Sequence, residues 1–250
     1  MRLTILGSGT NLHPSRAAAG YLVETDAVLL LDFGPRTLSN LLKSGVDRHR
    51  ITHILFSHFH ADHFADFIPF FFDAVIHTKF GGRRPDLTLI GPRGAKAVLG
   101  TMLRTFPSFD DHPFAVEIRE VSTKAFTIGR TRIEPRPVVH TDSLHALSYR
   151  IEHGRRALTY SGDAQYCRTL VQACDEADVA VLDCSFPANR PGVNHMHAGD
   201  CGRVAHEADV SRLVLSHFYP IAERYDVVAQ AGRRFNGRIE KARDLMKIIV

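Results

Sequence analysis

The chain contains no tryptophan and only four cysteines among its 250 residues. Cys167, Cys174, Cys184 and Cys201 form no C-x-x-C pair, which excludes a zinc ribbon and a dithiol redox motif, so we expect free thiols. Long hydrophobic runs are also missing. The apolar N-terminal run Arg2–Gly7 is too short for a signal peptide or a membrane span. We therefore expect a cytoplasmic protein with no membrane partner.

The chain also lacks a large excess of either charge. Its 31 Lys and Arg residues and 27 Asp and Glu residues give a net charge of +4. Such a small excess favours an anionic ligand only mildly, and no DNA partner is expected. Arginine pairs such as Arg83-Arg84 and Arg233-Arg234 are scattered, which is typical of a solvated surface. No repeat, low-complexity tract or linker interrupts the chain, so we predict one domain over residues 1–250.

Runs of apolar and β-branched residues predict the secondary structure. Strands are predicted first, then a helix from Pro35 to Gly45, and a second helix from Asp62 to about Phe80 that Pro69 kinks or splits. The predicted strands are Arg2–Gly7, Gly20–Thr25, Ala27–Asp32, Thr52–Ser57, Leu87–Ile90, Val179–Leu182 and Arg212–Ser216, with Ala115–Val139 and Leu144–Ser161 as successive strands of a second sheet. Runs of strands with helices between them predict an α/β protein of the α+β type, an αββα sandwich.

Fifteen histidines are present, and three of them stand with an aspartate in the segment His58-Phe59-His60-Ala61-Asp62-His63, directly after a predicted strand. In extended backbone His58 and His60 point to the same side, because side chains alternate. A helix that begins at Asp62 would turn Asp62 and His63 toward a second point nearby. Imidazole and carboxylate groups suit zinc and neighbouring first-row metals. The segment therefore predicts ligands for two adjacent metal ions, with a histidine-rich surface loop as the competing interpretation.

Three further residues complete a ligand set. His140, Asp163 and His217 each follow a predicted strand. A single histidine at a strand end is more often packed or exposed than a ligand. Together with the first segment, however, these residues predict a metal site built by seven side chains: His58, His60, Asp62, His63, His140, Asp163 and His217.

With this ligand set, the sequence resembles the metallo-β-lactamase superfamily, and within it the ribonuclease Z and small phosphodiesterase branch. The similar segments are Leu6–Thr10, His58–His63, Ser161–Asp163, Leu215–Phe218, Arg224–Asp226 and Ala242–Leu245. The resemblance implies the metallo-β-lactamase fold and a dinuclear hydrolase that uses a metal-bridging hydroxide, with zinc as the expected metal and manganese or iron as alternatives. It also implies that His58, His60 and His140 hold one metal, that Asp62, His63 and His217 hold the other, and that Asp163 bridges them.

The segment His195-Met196-His197 resembles the His-x-Thr element of ribonuclease Z-like proteins. This implies that His195 is a general acid, oriented by Asp183, which stands where that branch usually has a glutamate. Asp62 is predicted to aim the hydroxide as a second role. His197 replaces the usual threonine and is predicted either to contact substrate or to begin a helix. His13, in the loop after the first strand, is predicted to line the pocket.

One departure from the branch concerns substrate size. Enzymes that process precursor tRNA carry a long arm between the third histidine ligand and the bridging aspartate, whereas His140 and Asp163 are separated only by two predicted strands and a turn. We therefore expect a small or cyclic anionic phosphodiester, or short RNA, as substrate. A thioester, lactone or lactam hydrolase and a catalytically inactive metal-binding protein are the alternatives. We expect the phenylalanine-rich stretch from Phe64 to Phe72 to be mostly core, with a homodimer interface as the alternative for part of it.

Overall fold

A computed structural model describes residues 1–106, 109 and 112–250. Two seven-stranded sheets lie at its centre. The first sheet has the strand order β14-β1-β2-β3-β4-β5-β6, in which β3 to β6 run parallel and the other pairs antiparallel. Its strands are β1 (Arg2–Gly7), β2 (Gly20–Glu24), β3 (Val28–Phe33), β4 (His53–Leu55), β5 (Leu87–Gly91), β6 (Val116–Glu120) and β14 (Lys247–Ile249).

The second sheet has the order β13-β12-β11-β10-β9-β8-β7 and a similar division. Strands β7 to β10 are antiparallel, and β10 to β13 are parallel. The strands are β7 (Phe126–Ile128), β8 (Thr131–Val138), β9 (Ala146–His153), β10 (Arg156–Tyr160), β11 (Val179–Asp183), β12 (Arg212–Ser216) and β13 (Arg238–Lys241). Each sheet thus has a parallel half, whose carboxyl ends all point the same way.

Helices cover the outer faces of both sheets. The helices are α1 (Thr37–Ser44), α2 (Ala61–Phe64), α3 (Phe67–Lys79), α4 (Ala95–Thr105), α5 (Arg168–Cys174), α6 (Ala198–Glu207) and α7 (Val227–Gly232), with short 3-10 turns at Arg48–Arg50 and Pro220–Arg224. Residues of α1, α3 and α4 share one apolar cluster with the first sheet, and residues of α5, α6 and α7 share another with the second. The layers are those of the predicted αββα sandwich.

The alternation of β3 explains why both faces of the first sheet are buried. Leu29 and Leu31 belong to the cluster between the sheets, whereas Leu30 belongs to the cluster under the helices. Successive side chains of a strand point to opposite faces, so a strand covered on both sides is apolar at nearly every position. The apolar run from Val28 to Leu31 is therefore the reason that β3 lies in the middle of the sandwich.

Two details differ from the sequence prediction. Val116–Glu120 pairs in parallel with β5 in the first sheet, so the second sheet begins at Phe126 and not at residue 115. The predicted helix from Asp62 to Phe80 is indeed split, but at Ala65-Asp66 and not at Pro69. Pro69 lies in the first turn of α3, where its missing N–H has no intrahelical partner to lose.

The described part of the chain contains no helix that is both long enough and apolar enough to cross a membrane. Within the phenylalanine-rich stretch, Phe67, Phe70 and Phe71 are fully buried and Phe72 is 46% exposed. The stretch is therefore mostly core, and a homodimer stays a prediction.

Candidate metal centre

The predicted ligands converge at one edge of the sandwich. His58 and His60 follow β4 in the first sheet, while Asp163 and His217 follow β10 and β12 in the second. Parallel strands bring their carboxyl ends to the same edge, and the two sheets face each other, so these side chains meet between them. His217 has a φ of 61°, a left-handed conformation that is unusual for a residue other than glycine and is typical of functional sites.

The first group of predicted ligands consists of His58, His60 and His140, with Asp163 beside them. His60 Nδ1 lies 3.0 Å from His58 Nε2 and 3.1 Å from His140 Nε2. Asp163 Oδ2 lies 3.7 Å from His58 Nε2 and 3.8 Å from His140 Nε2. One ligand atom from each of these four residues therefore comes within 4.8 Å of the others, close enough to hold one metal ion.

The second group consists of Asp62, His63 and His217, and it meets the other oxygen of Asp163. His63 Nε2 and His217 Nε2 lie 3.2 Å apart, and each lies within 3.2 Å of Asp163 Oδ1. Asp62 Oδ2 lies 3.6 Å from His217 Nε2. Asp163 is thus shared by both groups, one carboxylate oxygen for each.

The donor set fits divalent cations. Asp163 Oδ1 is buried and has no hydrogen-bond partner in the described part of the structure, although two imidazole nitrogens point at it. An unpaired buried carboxylate oxygen is costly unless a cation or hydrogen bond satisfies it. Nitrogen and carboxylate donors around such an oxygen form an environment suited to zinc and related metals.

The outer nitrogens of the histidines are held by fixed partners. His63 Nδ1 lies 2.7 Å from Asp32 Oδ2, and His140 Nδ1 lies 2.8 Å from the carbonyl oxygen of Asn194. His58 Nδ1 and His217 Nδ1 lie 3.0 and 3.1 Å from serine hydroxyls, those of Ser57 and Ser185. Hydrogen bonds of this kind select the tautomer that leaves the Nε2 lone pair free for a metal. Four imidazoles therefore have their Nδ1 atoms engaged and present Nε2 to the candidate centre.

Burial and neighbouring charge act on the pKa values of these imidazoles. Burial lowers the pKa of His58 well below its ordinary value and also lowers that of His60. Burial opposes the charged form of His63 and His217 too, but Asp163 offsets it and raises the pKa of both well above the ordinary value. The negative charge of Asp163 therefore favours a positive charge at the centre of the second group, where a metal cation would bind.

Asp183 and His195 form an ion pair beside the second group. His195 Nδ1 donates to Asp183 Oδ2 over 2.8 Å. Burial lowers the pKa of His195, but Asp183 opposes this and the pKa is raised overall. Asp183 Oδ1 also accepts a hydrogen bond from Ser185 Oγ at 2.6 Å, and that hydroxyl contacts His217. One carboxylate therefore orients His195 directly and His217 through a serine.

The remaining candidates, His197 and His13, are engaged within their own segments. His197 is the N-cap of α6, where its Nδ1 accepts a hydrogen bond from the backbone N–H of Asp200 at 3.2 Å. His13 is buried, and its Nδ1 accepts from the backbone N–H of Arg16 at 3.1 Å, while its Nε2 lies 3.3 Å from Glu223. Substrate contact by either residue stays a prediction.

Comparison with known proteins identifies the family. The sequence profile of the β-lactamase superfamily domain matches residues 25–218. The chain belongs to this superfamily. An uncharacterized protein of Mycobacterium leprae is 32% identical over 96% of this chain and 85% of its own length. A ribonuclease Z of Mycolicibacterium gilvum is 28% identical over 100% of this chain and 96% of its own length.

Among solved structures, the metallo-β-lactamase fold protein YhfI of Bacillus subtilis superimposes with a TM-score of 0.86 at 24% identity, covering 99% of this chain and 98% of that one. The predicted fold and the predicted resemblance are therefore confirmed. So is the broad prediction of a metal-dependent hydrolase, which follows from membership of the β-lactamase superfamily.

Asp32 is one of the buried supporting residues that sequence reasoning missed. Asp32 lies at the end of β3, fully buried, with a φ of 52°. Its carboxylate accepts hydrogen bonds from Ser57 N and Ser57 Oγ, each at 2.6 Å, and from Tyr160 Oη at 2.5 Å, besides contacting His63 Nδ1. The available signal was a single aspartate closing an otherwise apolar strand, which is uncommon because buried charges need partners.

We expect Asp32→Ala to destabilise the protein by about 3–5 kcal/mol, because four buried donors lose their acceptor at once. The loss of the partner of His63 is also expected to weaken metal binding about 10–100-fold. Thermal unfolding and titration with zinc in a competing chelator measure the two effects. Tyr160→Phe, which removes one donor and leaves the carboxylate, is the comparison and should have the smaller effect. An Asp32→Ala protein that unfolds within 1 °C of the wild type would contradict this role.

Proposed function

We propose that the chain is a dinuclear phosphodiesterase that hydrolyses a small or cyclic phosphodiester, or short RNA. The observation that carries this proposal is the position of Asp163, whose two oxygens face two separate groups of histidines, next to the Asp183–His195 pair. His58, His60 and His140 would hold one metal, Asp62, His63 and His217 the other, and Asp163 would bridge them. Because ligands come from both sheets, we treat residues 1–250 as one domain.

When bound, two divalent cations supply a nucleophile from water near neutral pH and neutralise charge that develops on the phosphoryl group. Zinc is the metal that we propose, with manganese and iron as alternatives. The side chains of the protein orient the water and donate the proton. Asp62, whose Oδ2 lies 3.6 Å from His217 Nε2, is placed to accept a hydrogen bond from the attacking water and to orient it.

His195 is the proposed proton donor. Its Nδ1 is engaged by Asp183, so Nε2 is the nitrogen that can face a substrate. During hydrolysis the oxygen of water bonds to phosphorus, the bond to the leaving oxygen breaks, and that oxygen receives the proton from His195. The proton that water gives up is released to solvent, from which His195 is protonated again. The raised pKa of His195 favours the protonated form that this step requires. This pair supports a diester substrate, because an alkoxide is a poor leaving group without a proton.

The segment between His140 and Asp163 supports a small substrate. It contains a turn, strand β9 and strand β10, and the two strands pair from His153 and Arg156 onward within the second sheet. No arm emerges from this fully described segment that could grip a large folded RNA. The ribonuclease Z relative therefore indicates the type of bond that is cleaved better than it indicates the size of the substrate.

A substrate panel on metal-analysed protein tests the proposal. We expect about two metal ions per chain, and we expect turnover of bis-p-nitrophenyl phosphate and of a cyclic nucleotide to exceed that of a thioester and a lactone by at least about tenfold in kcat/KM. Chelator treatment should remove activity, and added zinc or manganese should restore it. Faster turnover of the thioester or lactone would favour a carbon-centred hydrolase. No turnover of any diester by metal-replete protein would favour a binding protein.

A further inference from the structure

Two aromatic side chains border the candidate centre and have no role in the proposed mechanism. Phe186 lies three residues beyond the end of β11, and Tyr219 lies two residues beyond His217. Their rings are stacked, with centroids 5.1 Å apart and planes inclined by 15°. Both side chains are partly exposed.

Core packing does not explain the pair. Neither Phe186 nor Tyr219 belongs to the two apolar clusters of the described chain, nor to the partly buried residues packed against those clusters. The backbone instead holds Phe186 in place, because a side chain on Gly192 would lie 2.2 Å from a carbon of the Phe186 ring. Phe186 thus packs closely against the backbone at Gly192 and stacks on the ring of Tyr219.

The pair stands on the side of the site where the leaving group would depart. The ring centroid of Tyr219 lies 5.7 Å from that of His195 and 6.3 Å from that of His217, and Phe186 lies 6.1 Å from His195. Within the described residues, the Tyr219 hydroxyl has no hydrogen-bond partner. A group attached to the oxygen that His195 protonates would therefore lie beside these rings.

We propose that the Phe186–Tyr219 pair is a stacking subsite for the flat base of a leaving nucleoside, so that the substrate is a nucleoside phosphodiester. This inference rests on the proposed function and adds the substrate class to it. Every nucleobase has a π face, and stacking on an aromatic side chain tolerates different bases. Tyr219 supplies the stacking surface, and Phe186 is its positioning residue.

Dinucleotides with and without a base test this subsite. Three substrates share one phosphodiester: one carries both bases, one has an abasic tetrahydrofuran residue on the leaving side, and one has it on the opposite side. The measured quantity is the ratio of kcat/KM for the first substrate to that for each abasic one. For the wild type we expect a ratio between about 5-fold and 150-fold on the leaving side, the range of a base–aromatic stack, and a smaller ratio on the opposite side.

Variants assign the preference to the two rings. Tyr219→Leu should bring the leaving-side ratio close to one, and Phe186→Leu should lower it in part, mainly through KM. Tyr219→Phe keeps the ring and should keep most of the ratio, which separates stacking from hydrogen bonding by the hydroxyl. Tyr166→Leu is the matched control, since Tyr166 is a partly exposed tyrosine that contacts Arg203 and Glu207 on the helical face, and it should leave the ratio unchanged.

The outcomes separate this inference from the proposed function. If the wild type cleaves all three dinucleotides at equal efficiency, or if Tyr219→Leu lowers all three rates by one factor, the subsite is wrong while the phosphodiesterase stands. If the wild type hydrolyses no phosphodiester at all, the proposed function itself is wrong. Metal content is measured for every variant and should match that of the wild type, so that a change in the kcat/KM ratio is due to the aromatic ring and not to loss of metal.

Discussion

Asp163→Ala is expected to remove activity and to lower the metal content of the protein below two ions per chain. Both groups of histidines depend on this one carboxylate: Oδ2 faces His58 and His140, and Oδ1 faces His63 and His217. Without it, Asp62 would be the one carboxylate left among the proposed ligands to balance the charge of two cations. Metal ions contribute several kcal/mol to the stabilisation of a transition state, so we expect kcat/KM to fall by roughly 10³-fold or more.

Elemental analysis of the purified variant, followed by a diester assay at saturating zinc, measures both effects. Asp163→Asn is the informative second variant, because it keeps the volume of the side chain and removes the negative charge. Asp175→Ala changes an exposed aspartate at the end of α5 and serves as the matched control, with metal content and turnover equal to the wild type. An Asp163→Ala protein that retains two ions and more than one tenth of its activity would show that the two groups do not share a ligand.

Sequence reasoning predicted those site residues that directly follow the end of a strand. Asp163 and His217 each follow a run of apolar residues that predicts a buried strand, and a polar residue at such a point lies at the edge of the sheet. The segment from His58 to His63 is predictable for the same reason, since it follows β4. Local pattern was therefore sufficient to select these residues as candidate ligands, and in the structure their side chains lie close together.

The supporting residues were not predictable in this way. Ser57 and Ser185 act through hydroxyl groups that contact His58 and His217, and a serine beside a buried strand has no distinctive pattern. Phe186 and Tyr219 meet only because β11 and β12 are neighbours in the sheet. Such pairings depend on strand order, which a single sequence does not contain. The misassigned strand β6 has the same cause, because an amphipathic strand pairs equally well in either sheet until its neighbours are known.

His195→Ala is expected to slow turnover in proportion to the need of the leaving group for a proton. A general acid contributes about 10²–10⁴-fold when the leaving oxygen is an alkoxide, and far less when it is a stabilised phenolate. We therefore expect a loss of this size on a dinucleotide and a loss below about tenfold on bis-p-nitrophenyl phosphate. A series of aryl phosphodiesters of graded leaving-group pKa should show a steeper dependence of kcat on that pKa in the variant than in the wild type.

Metal analysis decides between this role and the competing one. The atoms of His195, Asp163, Asp183 and His217 lie close enough together to hold a metal themselves, and His195 Nδ1 is 3.8 Å from Asp163 Oδ2. A proton donor can be removed without loss of metal, whereas a ligand cannot. His206→Ala, a change to an exposed histidine of α6, should alter neither metal content nor the leaving-group dependence. If His195→Ala loses a metal ion, or slows all leaving groups equally, the Asp183–His195 pair belongs to the metal cage and the proton must come from elsewhere.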